Sequence, residues 1–112
     1  MSSIHRGDVV LVGFENAQEK TTIRRPAVVI SVDIIKNEVA ILPVSMPKNG
    51  PDEVEGKGLR VLAQSPEGRL AGLRKDATID CSFLARIPSS LIVSRIGHFD
   101  ENIMQKLDKL CR

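Results

Sequence analysis

The sequence predicts a mainly β fold, a small and strongly bent antiparallel sheet or barrel closed by one C-terminal helix. Two patterns carry that expectation. Short runs rich in β-branched residues, separated by turn residues, fill most of the chain, and only the final segment places apolar side chains at helical spacing. A length of 112 residues predicts one domain over residues 1–112, with one modest hydrophobic core.

The elements follow in order. Asp8 to Phe14 (DVVLVGF) comes after the turn-forming Arg6-Gly7 and reads as a first strand buried on at least one face. Glu15 to Arg24 (ENAQEKTTIR) is polar and reads as a long loop, of the kind that tends to carry function in a small domain. Arg25-Pro26 opens the apolar run AVVISV, so a second strand is expected from Arg25 or just after it, with proline at its first position. Lys36-Asn37 turns into Glu38 to Val44 (EVAILPV), a third strand hairpinned to the second and fraying at Pro43.

Ser45 to Gly58 (SMPKNGPDEVEGKG) has no apolar period and reads as a long mobile loop. Leu59 to Leu62 is a short candidate strand, and Ser65-Pro66-Glu67-Gly68 is a turn. Thr78 to Leu84 (TIDCSFL) alternates as another strand, which sends Asp80 and Ser82 to one side and Cys81 into the core. Pro88-Ser89-Ser90 resembles the start of a helical turn. The following LIVSRI fits either state, and we take Ile92 to Ile96 as strand. Asp100 caps the last helix, Glu101 complements its dipole, and Ile103, Met104, Leu107 and Leu110 give it one apolar face.

Composition removes several classes of function. The net charge of +2 implies no general affinity for polyanions, so local placement of cations must carry any such reading. The aromatic residues are Phe14, Phe83 and Phe99, with no Tyr or Trp, so bases cannot be held by a row of stacking rings. The cysteines, Cys81 and Cys111, have neither the density of a secreted disulfide scaffold nor the spacing of a zinc site. A reducing cytoplasm is therefore expected. No run of about 18 apolar residues suggests a membrane span, and the start MSSIHRGD lacks the apolar core of a signal peptide, so the chain is read as beginning near Met1.

Three collinear segments together carry a resemblance to a known family. The first is Arg6-Gly7-Asp8-Val9-Val10. The second and most specific is Arg25-Pro26-Ala27-Val28-Val29-Ile30-Ser31, similar to that family's RPAVVLS strand. The third runs from Gly72-Leu73-Arg74-Lys75-Asp76 through Ile79-Asp80-Cys81 and Arg86-Ile87 to Ile96-Gly97-His98-Phe99-Asp100-Glu101. Together they resemble the MazF/PemK toxins, the ribonuclease halves of bacterial toxin and antitoxin pairs, and what the resemblance implies is an SH3-like barrel with a helix, a homodimer, a cognate antitoxin, and cleavage of single-stranded RNA at short sequences without a metal or other cofactor. It also implies a catalytic pair, the arginine opening the RPAVV strand and a hydroxyl residue after the third strand, here Arg25 and Ser45. A late Arg and Asp used by some members fall on Asp80 and Ser82, where this sequence departs from that subgroup.

Those residue types suit that chemistry. In metal-free cleavage the RNA's own 2′-hydroxyl attacks, so the protein must help remove its proton, stabilise the charged phosphorane and protonate the leaving 5′ oxygen. A permanently charged, planar guanidinium clamps phosphate well and is a poor base. A seryl hydroxyl adds a further donor. Lys20 and Arg24 in the first loop, Lys48 in the second, and Arg74, Lys75, Asp80 and Ser82 are candidates for RNA contact, each with a plain alternative as solvated surface. Histidine is the usual acid and base of catalysis near neutral pH, but His5 and His98 have structural readings, His98 as an anchor for the chain entering the helix. The competing function is a non-catalytic binder on the same fold, holding RNA or, like the related CcdB toxins, DNA gyrase. A peptide-binding SH3-like module is disfavoured by the missing Tyr and Trp.

Overall fold

A computed structural model of the chain describes residues 4–16, 18–45 and 58–111. Its elements run β1 (Asp8–Asn16), β2 (Thr21–Asp33), β3 (Glu38–Ser45), β4 (Gly58–Val61), the short helix α1 (Pro66–Leu70), β5 (Ala77–Asp80), β6 (Ala85–Pro88), a 3-10 turn over Ser89–Leu91, β7 (Ile92–His98) and α2 (Glu101–Leu110). Every ladder is antiparallel, in the order β4-β5-β3-β2-β1-β7, with β6 sharing the outer edge of β3 with β5.

Register shifts bend the sheet. The β1–β7 ladder shifts at Val9/Val10 and again at Leu11/Val12, and the β2–β3 ladder shifts between Val29 and Ser31. Each extra residue bends its strand and increases the local twist, which curls this sheet into the expected bent form. No described helix is long and apolar enough to cross a membrane.

Two apolar clusters, not the single core expected from chain length, fill the interior. β1, β2 and β3 lie in the middle of the sheet with both faces covered, so alternate side chains enter different clusters. Val9, Val28 and Leu42 join Val61, Ile79, Phe99, Ile103, Met104 and Leu107, which brings α2 against one face. Val10, Val12, Ala27, Val29, Val39 and Ile41 join Ile87 on the other, with Ile4, Leu91 and Ile92 packed against them. A continuous apolar run such as VVLV is the signature of a strand buried on both sides.

Four local readings also change. The polar stretch Glu15 to Arg24 is a hairpin, not a loop: Phe14 pairs with Ile23, Glu15 with Thr22 and Asn16 with Thr21, leaving a turn around Gln18 to Lys20. The β-branched Thr21, Thr22 and Ile23 favour that extension. Pro26 accordingly lies within β2, not at its start. Ser65 to Leu70 is a capped helical turn because the Ser65 side chain accepts from the Gly68 N–H at 3.0 Å and Pro66 sits in the first turn. Finally, Thr78 to Leu84 is not one strand. β5 stops at Asp80, and Ala85 to Pro88 forms β6 against Glu38 to Ile41.

The β1 and β7 ends are tied by polar contacts. Asp8, 1% exposed, accepts from the His5 N–H at 2.8 Å, lies 2.9 Å from His98 Nδ1 and 3.3 Å from Arg95 Nε. His98 thus has the structural role expected of it. Gly7 at φ +93° is required there, since a side chain would be strained in that conformation and would press on His98 and the Phe99 carbonyl.

Candidate functional site

Arg25 and Ser45 lie where the β2–β3 ladder opens. Its last pair is Ala27 with Pro43, and the adjoining Pro26 and Pro43 lack the N–H groups that further pairing would use. Past that point β3 continues against β5, Val44 opposite Ile79 and Ser45 opposite Thr78. Arg25 and Ser45 each stand two residues beyond the final pair, on facing strands. Alternation sets Arg25 on the face of Ala27 and Val29, and Ser45 on the face of Ile41, which is the same face. Both side chains are exposed.

Thr78 extends the arrangement, and the sequence carries no signal of it, since a threonine near a strand start is ordinary β chemistry. Thr78 pairs with Ser45 on one side and with Arg60 on the other, so Ser45, Thr78 and Arg60 form a row across β3, β5 and β4 with side chains on one face. Thr78 is 4% exposed, and its hydroxyl is the one buried side-chain polar atom without a hydrogen-bond partner among the described residues. Leaving such a group unpaired costs about 1–3 kcal/mol. A fold gains nothing from that cost.

The other expected residues divide. Arg24 pairs with Gly13 and alternation turns it to the face opposite Arg25, so the hairpin separates the two arginines. Lys20 is exposed in the turn at φ 54°, at the far end of that hairpin. Asp80 shares the face of Thr78, but Ser82 does not follow it along a strand. The Asp80 carboxylate accepts from the Ser82 N–H at 2.9 Å, a local turn that ends β5. Lys48 lies outside the described residues.

Arg74 and Lys75 meet Arg60 in a cavity of about 520 Å³, lined also by Leu62, Ala63, Gln64 and Asp76. Asp76 holds its wall, with Oδ1 accepting from the Ala63 N–H at 2.9 Å and Oδ2 3.7 Å from Arg60. Sequence order hides this meeting, because Arg60 and Arg74 sit on opposite sides of α1. Among the described residues no three His, Cys, Asp or Glu side chains come together as a metal-binding group.

Residues 5–112 match the model of a family described as PemK-like, MazF-like toxin of type II toxin-antitoxin system. No curated protein shows a significant match in sequence. Among solved structures the chain is similar to the Mycobacterium tuberculosis toxin MazF-mt6, at a TM-score of 0.64 and 16% identity, over 93% of this chain and 91% of that one. At that identity the likeness shows a shared fold.

Proposed function

The chain belongs to the PemK-like, MazF-like family of type II toxins, and from that premise we propose that it is a metal-independent, sequence-selective endoribonuclease acting on single-stranded RNA. The observation that carries the reading is the exposed Arg25 and Ser45, a guanidinium and a hydroxyl on one face of facing strands, each two residues past the last pair of the ladder. In the reaction the 2′-oxygen bonds to phosphorus as the bond from phosphorus to the 5′ oxygen breaks. The 2′ proton is removed and a proton is delivered to the leaving oxygen, giving a 2′,3′-cyclic phosphate and a 5′-hydroxyl.

Arg25 supplies two aligned donors to the phosphate oxygens, which gather charge in the transition state. Ser45 donates a further hydrogen bond to the same group. Thr78 stands opposite Ser45 in the ladder, and the proposal is that its hydroxyl, unpartnered among the described residues, turns to donate to the Ser45 oxygen when RNA binds, a cross-strand pairing common for these side chains. That turn would leave the seryl proton for the phosphate. Arg74, Lys75 and Lys20 attract the strand without reading its sequence. Asp80, on the face of Thr78, stays a candidate for contact, whereas Arg24 turns away from the Arg25 face and Ser82 lies past the end of β5.

A second copy of the chain and a cognate antitoxin complete the proposal. The antitoxin would lay an acidic segment over the same cations and so compete with RNA. The test is incubation of the purified protein with EDTA on a long single-stranded RNA, followed by mapping of the cuts and their ends. Discrete cuts with cyclic-phosphate ends are expected, reduced about 100-fold or more in Arg25→Ala, the usual effect of removing one transition-state donor. Binding without any cutting by the wild type would replace this reading with the non-catalytic binder.

A further inference from the structure

Building on the ribonuclease reading, we infer that the cavity around Arg60 is a second nucleotide subsite, which holds the phosphate and base of a residue flanking the cut in the same RNA strand. The ladder sets its position. Arg60 stands opposite Thr78 and Thr78 opposite Ser45, so Arg60 is two strand spacings from the opened ladder, roughly 10 Å. All three side chains leave the sheet on one face, and an RNA strand crossing at Ser45 passes over Arg60 without turning.

The lining has the chemistry of a nucleotide. Arg60, Arg74 and Lys75 set three cations against the single carboxylate of Asp76, an excess suited to a phosphate. Asp76 is held by the Ala63 N–H and keeps acceptor capacity for a base amino group. Leu62, 52% exposed, offers an apolar surface to a ribose or base, in a chain without the rings that stack on bases. The volume of about 520 Å³ lies within the usual range for small-ligand sites. Arg60 belongs to no expected site, and its exposed pairing with Asp76 at 3.7 Å contributes little to folding, so it is free to turn toward a ligand.

The experiment compares wild type, Arg60→Ala and Arg60→Lys on an RNA carrying the mapped cut and on versions shortened stepwise from either side. On the full RNA, Arg60→Ala is expected to raise KM about tenfold while kcat changes less than about twofold, the pattern of lost binding away from the reacting atoms. The dependence of log affinity on log salt is expected to fall by about 0.7 in slope, one phosphate contact, and Arg60→Lys to keep that slope. Shortening past the subsite on one side should erase the difference between wild type and Arg60→Ala. An unchanged KM and salt slope in Arg60→Ala, with the wild type cutting normally, would overturn the subsite. So would an Arg60→Ala defect confined to binding of a poly-glutamate peptide, which assigns the cavity to an acidic protein partner. A wild type that neither cuts nor binds any RNA would remove the ribonuclease reading and the subsite with it.

Discussion

Arg6 shows how much one side chain fixes in this molecule. Its guanidinium donates to the Ile30 carbonyl at 2.9 Å and to the Asp108 carboxylate at 2.7 Å, joining the chain before β1 to β2 and to α2. Both partners of the ion pair are partly solvated, which reduces its worth. Arg6→Ala is expected to lower stability by about 1 kcal/mol, read as a lower urea midpoint at unchanged m-value. Thr78 should behave in the opposite way. Thr78→Val keeps the shape and removes a buried hydroxyl that nothing in the described fold satisfies, so stability should rise by about 1 kcal/mol. If the hydroxyl orients Ser45, the same variant loses kcat, and Thr78→Ser restores it. A Thr78→Val protein that is more stable and equally active would confine Thr78 to the fold.

At the scale of elements, α2 and the β1–β2 hairpin contrast. The helix is held by its buried face, Ile103, Met104 and Leu107, and capped by Asp100, whose carboxylate accepts from the Ile103 N–H at 3.0 Å. Leu107 is fully buried in the cluster shared with Phe99 and Val9. Leu107→Ala is expected to cost about 2–5 kcal/mol, measured by chemical denaturation, because the surrounding strands cannot collapse into the space. The hairpin end beyond Val12 has no such support, since residues 21–25 are exposed. Hydrogen exchange should therefore be fastest there among the described strands. A ribbon of that kind can adjust to a partner without disturbing the core.

The molecule as a whole leaves apolar surface uncovered. Ile34 and Ile35 stand 82% and 95% exposed on the β2–β3 turn. Ile34, with Val32, Ile92 and Val93, lines a broad concavity of about 990 Å³. Apolar side chains grouped in this way mark a contact surface, and a second copy is the occupant the family reading supplies. Sedimentation equilibrium is expected to give twice the chain mass for the wild type and the single mass for the combined Ile34→Asp and Ile35→Asp variant. A wild-type monomer at micromolar concentration would remove this surface as a dimer contact.

Much of the architecture was legible because local chemistry is strong in β-branched runs and capped helices. The strands from Asp8, through AVVISV, and from Glu38, and the helix with its Asp100 cap, follow from side-chain period and turn residues alone. The collinear motifs also pointed to the family that the match over residues 5–112 shows. Tertiary pairing decided the rest. Whether Thr21 to Ile23 forms loop or strand depended on a partner, and β1 supplied it across Phe14 to Asn16. The division of the core into two clusters depended on which strands became central. The row of Ser45, Thr78 and Arg60 exists only because two prolines end one ladder and β5 takes over β3. Residues distant along the chain met there through backbone hydrogen bonding between strands, whose choice of partner is not written in the side chains of Ser45, Thr78 or Arg60.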